Sequence, residues 1–310
     1  MRIATLLPSA TEIVCALGLS ESLVGISHDC DYPPEIRSRP VLSDAIVGAE
    51  LPSRTIDDRI RGQLHKGKSV YHLDEAQLAQ LRPDLILTQE LCEVCAPSYT
   101  LVKQAAKVLE AGTRIVSLEP LGLEDVLDNI ALVGELTGAR ARAEQVVISL
   151  RERIARVTAA SAGLPKRTIV CLEWLDPLFV AGHWIPEMVE YAGGQDLLGR
   201  PRQPSYVVDW DAVRAADPEV LVVMPCGFDV PRVREEIHLL TDRPGWRELR
   251  AVREQHVYLT EATSYFSRPG PRLVDGLEIL ASILHPEENK ENVPGPLSRA
   301  PLGAPGYQAT

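Results

Sequence analysis

The sequence predicts an α/β protein: two small lobes, each a parallel sheet wrapped by helices, joined by a long helical connector, with a ligand cleft between the lobes. Three observations predict it. The apolar run Ile3–Leu7 leads directly into a helical segment, the first half of a parallel βα unit. Short apolar runs bounded by turn residues recur on both sides of a stretch, 123–160, whose apolar residues fall at helical spacing with no proline. And 310 residues are long for one core but comfortable for two, since domains usually hold about 100–200.

The elements follow in order. Ser9-Ala10-Thr11-Glu12 reads as a capping box with Ser9 as the cap, ahead of Ile13, Val14, Ala16 and Leu17 and closed by Gly18. Strands are expected at Leu23–Ser27, Val70–Leu73, Asp84–Thr88 and Arg114–Leu118, with helices between most of them, forming a small parallel sheet. In the connector Val126, Ile130, Val133, Leu136, Ala143, Val147, Leu150, Ile154 and Val157 mark one apolar face, and Gly138 marks a break between a shorter and a longer helix. Strands resume at Thr168–Trp174, Glu219–Val223 and His256–Thr260. The final helix follows Pro271 with Leu273, Leu277, Leu280 and Leu284 on one face.

An internal echo supports two related lobes. The segments 73–87 (LDEAQLAQLRPDLIL) and 208–222 (VDWDAVRAADPEVLV) align on Pro83 and Pro218, each a helix, a proline stop and an apolar strand. The expected organisation is an N-terminal lobe over 1–122, the connector over 123–162, a C-terminal lobe over 163–285 and a disordered tail over 286–310, rich in Pro, Gly, Asn and Glu.

Lys and Arg total 32 against 43 Asp and Glu, a formal charge of −11. With no basic stripe, nucleic acid is excluded as a partner. No apolar run approaches the ~18 residues of a membrane span, so the chain is not expected to be membrane-embedded. The first residues lack the pattern of a secretory leader. The expected location is therefore cytoplasmic, or extracytoplasmic if an upstream leader has been removed. The six cysteines are too sparse for a disulfide framework and read as free thiols or metal ligands.

Several places could carry chemistry. The turn Pro8-Ser9-Ala10-Thr11 follows a strand and opens a helix, where α/β sheets bind ligands and free N–H groups favour acceptors; Ser9 as a plain cap is compatible with that. Cys92-Glu93-Val94-Cys95 is half a zinc site, a redox pair or two ordinary thiols. With His28 it could hold a zinc or iron ion, and Cys30, Asp31, His183 and Cys226 are further loop donors. All four Trp and all three Phe lie after the connector. Trp174, Phe179, His183 and Trp184 fall in what reads as a loop between a strand and a Pro-started helix, and Tyr265-Phe266 is a second aromatic loop. Rigid aromatics beside turn residues suit a flat, bulky ligand; the same residues also suit an aromatic core. Nucleophile-elbow, metalloprotease and phosphate-loop motifs are absent, and Glu90, Glu93 and Glu173 are isolated carboxylates. A binding role without turnover therefore ranks ahead of a metal- or thiol-dependent enzyme or sensor built on Cys92, Cys95 and His28.

The opening RIATLLPSATEIVCALG, the strand RPDLILT, the proline-free connector and the closing RPGPRLVDGLEIL together resemble the cobalamin-binding class III periplasmic substrate-binding proteins of the helical-backbone metal-receptor superfamily, in a leaderless branch. The resemblance spans roughly residues 2 to 285. It implies capture of cobalamin, another corrinoid or a related metal chelate, and an ABC importer as partner. Carried over by position, Pro8–Thr11 and the loop after Thr88, with Glu90, would contact the ligand from one lobe. Trp174, Phe179, His183, Trp184, Cys226, Phe228, Tyr265 and Phe266 would contact it from the other, with a His or thiolate approaching the metal axially.

Overall fold

Short strands of β-branched and aliphatic residues, many followed by a helix, build a 4-stranded and a 7-stranded sheet and a separate two-stranded ribbon. The computed structural model describes residues 1–66, 68–89, 112–287 and 297–299. They divide into two compact units: residues 1–51, 55–120 and 124–149 in the first, residues 52–54, 121–123 and 150 onward in the second. No helix among the described residues is long and apolar enough to cross a membrane.

In the first unit β1 (Ile3–Thr5), α1 (Pro8–Ala16), β2 (Leu23–Gly25), β3 (Ser43–Ala45), α2 (Ser53–Leu64), β4 (Tyr71–Leu73), α3 (Glu75–Leu81), β5 (Leu85–Thr88) and β6 (Arg114–Ser117) follow one another. The sheet order is β2-β1-β5-β6, all parallel. β1 and β5 are wholly buried, as continuous apolar strands of a covered parallel sheet should be. Ala4, Leu6, Leu42, Leu73, Leu78 and Ile86 pack as one core. The strand expected around Val70–Leu73 lies outside this sheet: β4 pairs antiparallel with β3.

The expected capping box is overturned. α1 begins at Pro8, its N-cap is Leu7 in extended conformation, and no side chain caps it. Proline is pre-shaped for the first helical position and lacks the N–H that a cap would satisfy, so it displaces Ser9 into the helix.

The connector holds α4 (Leu123–Thr137) and α5 (Arg140–Ser161), broken at Gly138 as expected. Gly138 has φ +74, a left-handed turn that favours glycine. Leu123, Val126, Leu127, Ile130 and Val133 of α4 and Ala143, Val147, Leu150 and Val157 of α5 are buried.

The second unit contains β7 (Arg167–Leu175), β8 (Leu178–Val180), α6 (Ile185–Tyr191), β9 (Gly194–Asp196), β10 (Tyr206–Val207), α7 (Trp210–Ala216) and β11 (Val220–Val223). It continues with α8 (Val230–Glu236), α9 (His238–Thr241), α10 (Arg250–Arg253), β12 (Val257–Thr260), α11 (Ala262–Tyr265), α12 (Leu273–Leu284) and β13 (Leu297–Arg299). Its parallel centre runs β9-β7-β11-β12. β8 and β10 extend it antiparallel beyond the carboxyl half of β7, and β13 adds an antiparallel edge to β12. The tail expected to be disordered thus contributes a strand at 297–299. Arg153 of α5 donates to Asp275 at 2.5 Å and to Glu278 at 2.6 Å on α12, and Arg167, the first residue of β7, donates through Nη1 to the last carbonyls of that helix, Ile283 and Leu284.

Candidate ligand-binding edges

In a parallel sheet every strand points the same way, so the loops after the strands share one edge, and ligands bind there. In the first unit that edge carries Leu7-Pro8 after β1, Ser27-His28 after β2, Gln89 after β5 and Glu119 after β6. Of the expected contacts in the first turn, Ser9, Ala10 and Thr11 are buried and Pro8 is half-buried. Thr11 turns inward: its Oγ1 lies 2.6 Å from Thr5 Oγ1 and 2.9 Å from Cys30 Sγ, a polar knot beneath the helix start. His28 is half-buried, with Nδ1 3.2 Å from Ser43 Oγ and Nε2 3.4 Å from Asp29 Oδ2. The Tyr71 ring lies 5.6 Å away. Glu90, Cys92 and Cys95 lie outside the described residues, so of that expected metal set only His28 is placed. No group of three or more His, Cys, Asp or Glu among the described residues is arranged to hold a metal. Cys15, Cys30, Cys171 and Cys226 are in no disulfide among the described residues.

The edge of the second unit is aromatic, and the sequence reading of it needs correcting. Residues 174–180 form a hairpin rather than a loop, whereas 181–184, with His183 and Trp184, are the expected loop before a Pro-started helix. Trp174, the penultimate residue of β7, pairs across a hairpin with Phe179 of β8, and its Nε1–H donates to the Asp176 carbonyl at 3.1 Å inside the turn. Trp174 also lies 5.1 Å from the Phe228 ring, tilted by 58°, and the Arg232 guanidinium sits over the Phe228 ring, 4.7 Å from its centroid. Trp184, Phe228 and Phe266 are 7%, 2% and 3% exposed. The Trp184 Nε1–H donates to the Phe266 carbonyl at 2.8 Å, as a buried indole must find a partner. These three are core side chains under the edge. Trp174, Phe179, His183, Cys226 and Tyr265 remain half-buried on it.

Polar groups share the edge. Glu173, one residue before Trp174, accepts from Ser205 Oγ at 2.8 Å; burial pushes its carboxyl above the usual range, opposed by Ser205 and the Gly182 N–H. His183 adopts φ +50. Its N–H donates to the Gln203 carbonyl at 2.6 Å and its carbonyl accepts from Arg202 N–H at 2.9 Å. Burial holds its imidazole below the ordinary value. Both groups are thereby biased to neutral forms. The Cys226 N–H donates to the Glu173 carbonyl at 3.0 Å. Ser205 and the segment carrying it were missed by the sequence reading. The run Pro201-Arg202-Gln203-Pro204 signals a stiff, extended piece of chain but not where it lands.

The model of the family described as periplasmic binding protein matches residues 3–263. The chain belongs to this family. It is 24% identical over 297 residues to the uncharacterized ABC transporter substrate-binding lipoprotein YvrC of Bacillus subtilis, covering 94% of this chain and 82% of that one. It is 23% identical over 282 residues to the vitamin B12-binding protein of Vibrio parahaemolyticus, with 89% and 86% covered. Two solved structures share the fold. The periplasmic vitamin B12-binding protein BtuF of Vibrio cholerae aligns with TM-score 0.67 at 20% identity, covering 94% of this chain and 98% of that one. A periplasmic heme-binding protein from Pseudomonas aeruginosa aligns with TM-score 0.69 at 23% identity, covering 100% and 99%. The α/β class with parallel-sheet lobes and a helical connector, the family resemblance and the expectation of a substrate-binding protein rather than an enzyme all agree with these findings.

Proposed function

We propose that this periplasmic binding protein captures a flat metal chelate of the corrinoid class, without turnover, and hands it to an ABC importer. The carrying observation is the aromatic edge of the second unit. Trp174 and Phe179 are paired across a hairpin, half-buried and braced from beneath by Phe228, which suits the face of a large conjugated ring. Glu173, whose charged form burial disfavours, and the Ser205 hydroxyl bonded to it suit the amide-rich rim of a corrin. In the first unit Pro8 and His28 are the candidate contacts, with His28 Nδ1 held by Ser43 and Nε2 beside the exposed Asp29 carboxylate. The names of the relatives, a lipoprotein and periplasmic proteins among them, favour a location outside the cytoplasm.

Titration with cobalamin and with cobinamide, following Trp fluorescence and the corrin absorption band, tests this. Saturable binding at one ligand per chain is the expected result. A band shift with aquated corrinoid that disappears in His28→Ala would assign axial contact to His28. Absence of binding to both, beside saturable binding of haemin, would move the ligand to the porphyrin class.

A further inference from the structure

The segment 197–205 is a strap laid across the second unit. At its far end it fixes the ligand edge, through the two backbone bonds to His183 and the Ser205 hydroxyl on Glu173. At its base the Leu197 N–H donates to the Ile169 carbonyl at 3.0 Å and the Tyr206 hydroxyl donates to the Leu198 carbonyl at 2.7 Å, and one carboxyl holds the turn that follows. Asp196, the last residue of β9, accepts the backbone N–H of Leu198 at 3.0 Å and of Gly199 at 2.7 Å on Oδ1. Its Oδ2 is shut off from solvent and has no hydrogen-bond partner. A Cβ on residue 199 would overlap that carboxyl, so only glycine lets the strap pass so close. A cavity of about 190 Å³ adjoins, lined by Asp196, Gly199, Lys166, Glu190, Gln195 and Pro186 among others.

We propose that Asp196 is a proton-dependent positioning residue: neutral, it anchors the strap; ionised, it opens the base of the strap toward the adjoining cavity. A carboxylate oxygen without water or a donor is costly to charge. The ionised form gains solvation only by moving its loop into that cavity. The charged groups around it cannot replace water. Lys166 is turned to Glu190, with Nζ 3.7 Å from Oε1, and the Cys171 thiol of β7 is held neutral, its pKa pushed well up by burial first and then by Asp196 and Glu173. Burial pushes the Asp196 carboxyl up to about 6, against the two N–H bonds that pull it down, so the change falls in the mildly acidic range. Any effect on ligand affinity rests on reading this edge as the ligand surface; the anchoring itself does not.

The test uses ligand-free, full-length protein. Carboxyl-carbon NMR should place the Asp196 midpoint near 6. Hydrogen exchange at the Leu198 and Gly199 amides, corrected for the intrinsic rate, should lose protection by about ten-fold or more between about pH 5 and about pH 7.5, and stay level in Asp196→Asn. A midpoint near 4, or the same exchange profile in both proteins, would overturn the proposal. If the Asn variant does not fold, the wild-type midpoint decides alone. Aquocobalamin should then bind more tightly at the lower pH in wild type only. Failure of cobalamin to bind at any pH would sink the ligand reading while leaving the exchange result standing.

Discussion

The two units share a topology and differ at its working edge. Each is a four-strand parallel order in which the first strand pairs with the second on one side and the third on the other, followed by the fourth: β2-β1-β5-β6 and β9-β7-β11-β12. In each, a proline opens the helix after the first strand, Pro8 in α1 and Pro186 in α6. In each, the helix before the third strand ends on a left-handed residue, Arg82 at φ 42 or Asp217 at φ 39, directly before a proline. The scaffold is thus held in common. Among its described residues the first unit turns the Thr11 hydroxyl inward and carries His28 half-buried at its edge. The second adds the β8 hairpin, β10 and the 197–205 strap, and these bring aromatic and titratable side chains to its edge. These described side chains sit where the second unit departs from the shared plan.

The comparison can be broken at several points. The largest effect is expected at Trp184, which supports the aromatic edge from the core. Trp184→Ala should cost about 3–5 kcal/mol of stability, read by denaturant unfolding; a loss confined to ligand affinity would mean that it belongs to the edge instead. Asp196 comes next. A carboxyl raised from 3.8 to about 6 contributes stability that is fully present below about pH 4 and lost as pH rises through about 6. At about 1.4 kcal/mol per unit, Asp196→Asn should be more stable than wild type at neutral pH by about 3 kcal/mol and equal to it at pH 4. A constant difference across that range would contradict the assignment.

On the edge itself, Trp174→Ala should weaken corrinoid binding by about 2 kcal/mol with a smaller change in unfolding midpoint. The smallest effect probes the echo. Asp74 caps α3 by accepting from Gln77 N–H at 2.8 Å, whereas Asp209, at the matching place before α7, makes no side-chain cap bond. Asp74→Ala should cost about 1 kcal/mol and Asp209→Ala almost nothing; equal costs would show the caps to be alike in solution.

Much of the scaffold was legible because it is written in local pattern. Continuous apolar runs at 85–88 and 220–223, helical spacing through 123–160 and the stop at Gly138 each follow from one stretch of chain. What failed was decided by competition or by distance. Ser9 lost the cap because Pro8 beside it fits the first helical position better. Trp174 and Phe179 read as loop residues because the hairpin that pairs them turns on Asp176-Pro177, a turn signal between two short runs. Trp184, Phe228 and Phe266 stand among turn residues in sequence, yet are buried against segments far along the chain, Trp184 against Phe266 and Phe228 against Trp174. Nothing local announces that Ser205 will reach Glu173.

The central claim is that the half-buried aromatic pair of the second unit is the ligand surface. Corrinoid titration of wild type beside Trp174→Phe, read by tryptophan quenching and by equilibrium dialysis, tests it most directly. The account predicts single-site binding in wild type, with most of the quenching lost in Trp174→Phe while binding persists. Undiminished quenching in that variant, or binding unaffected by Trp174→Ala, would contradict it.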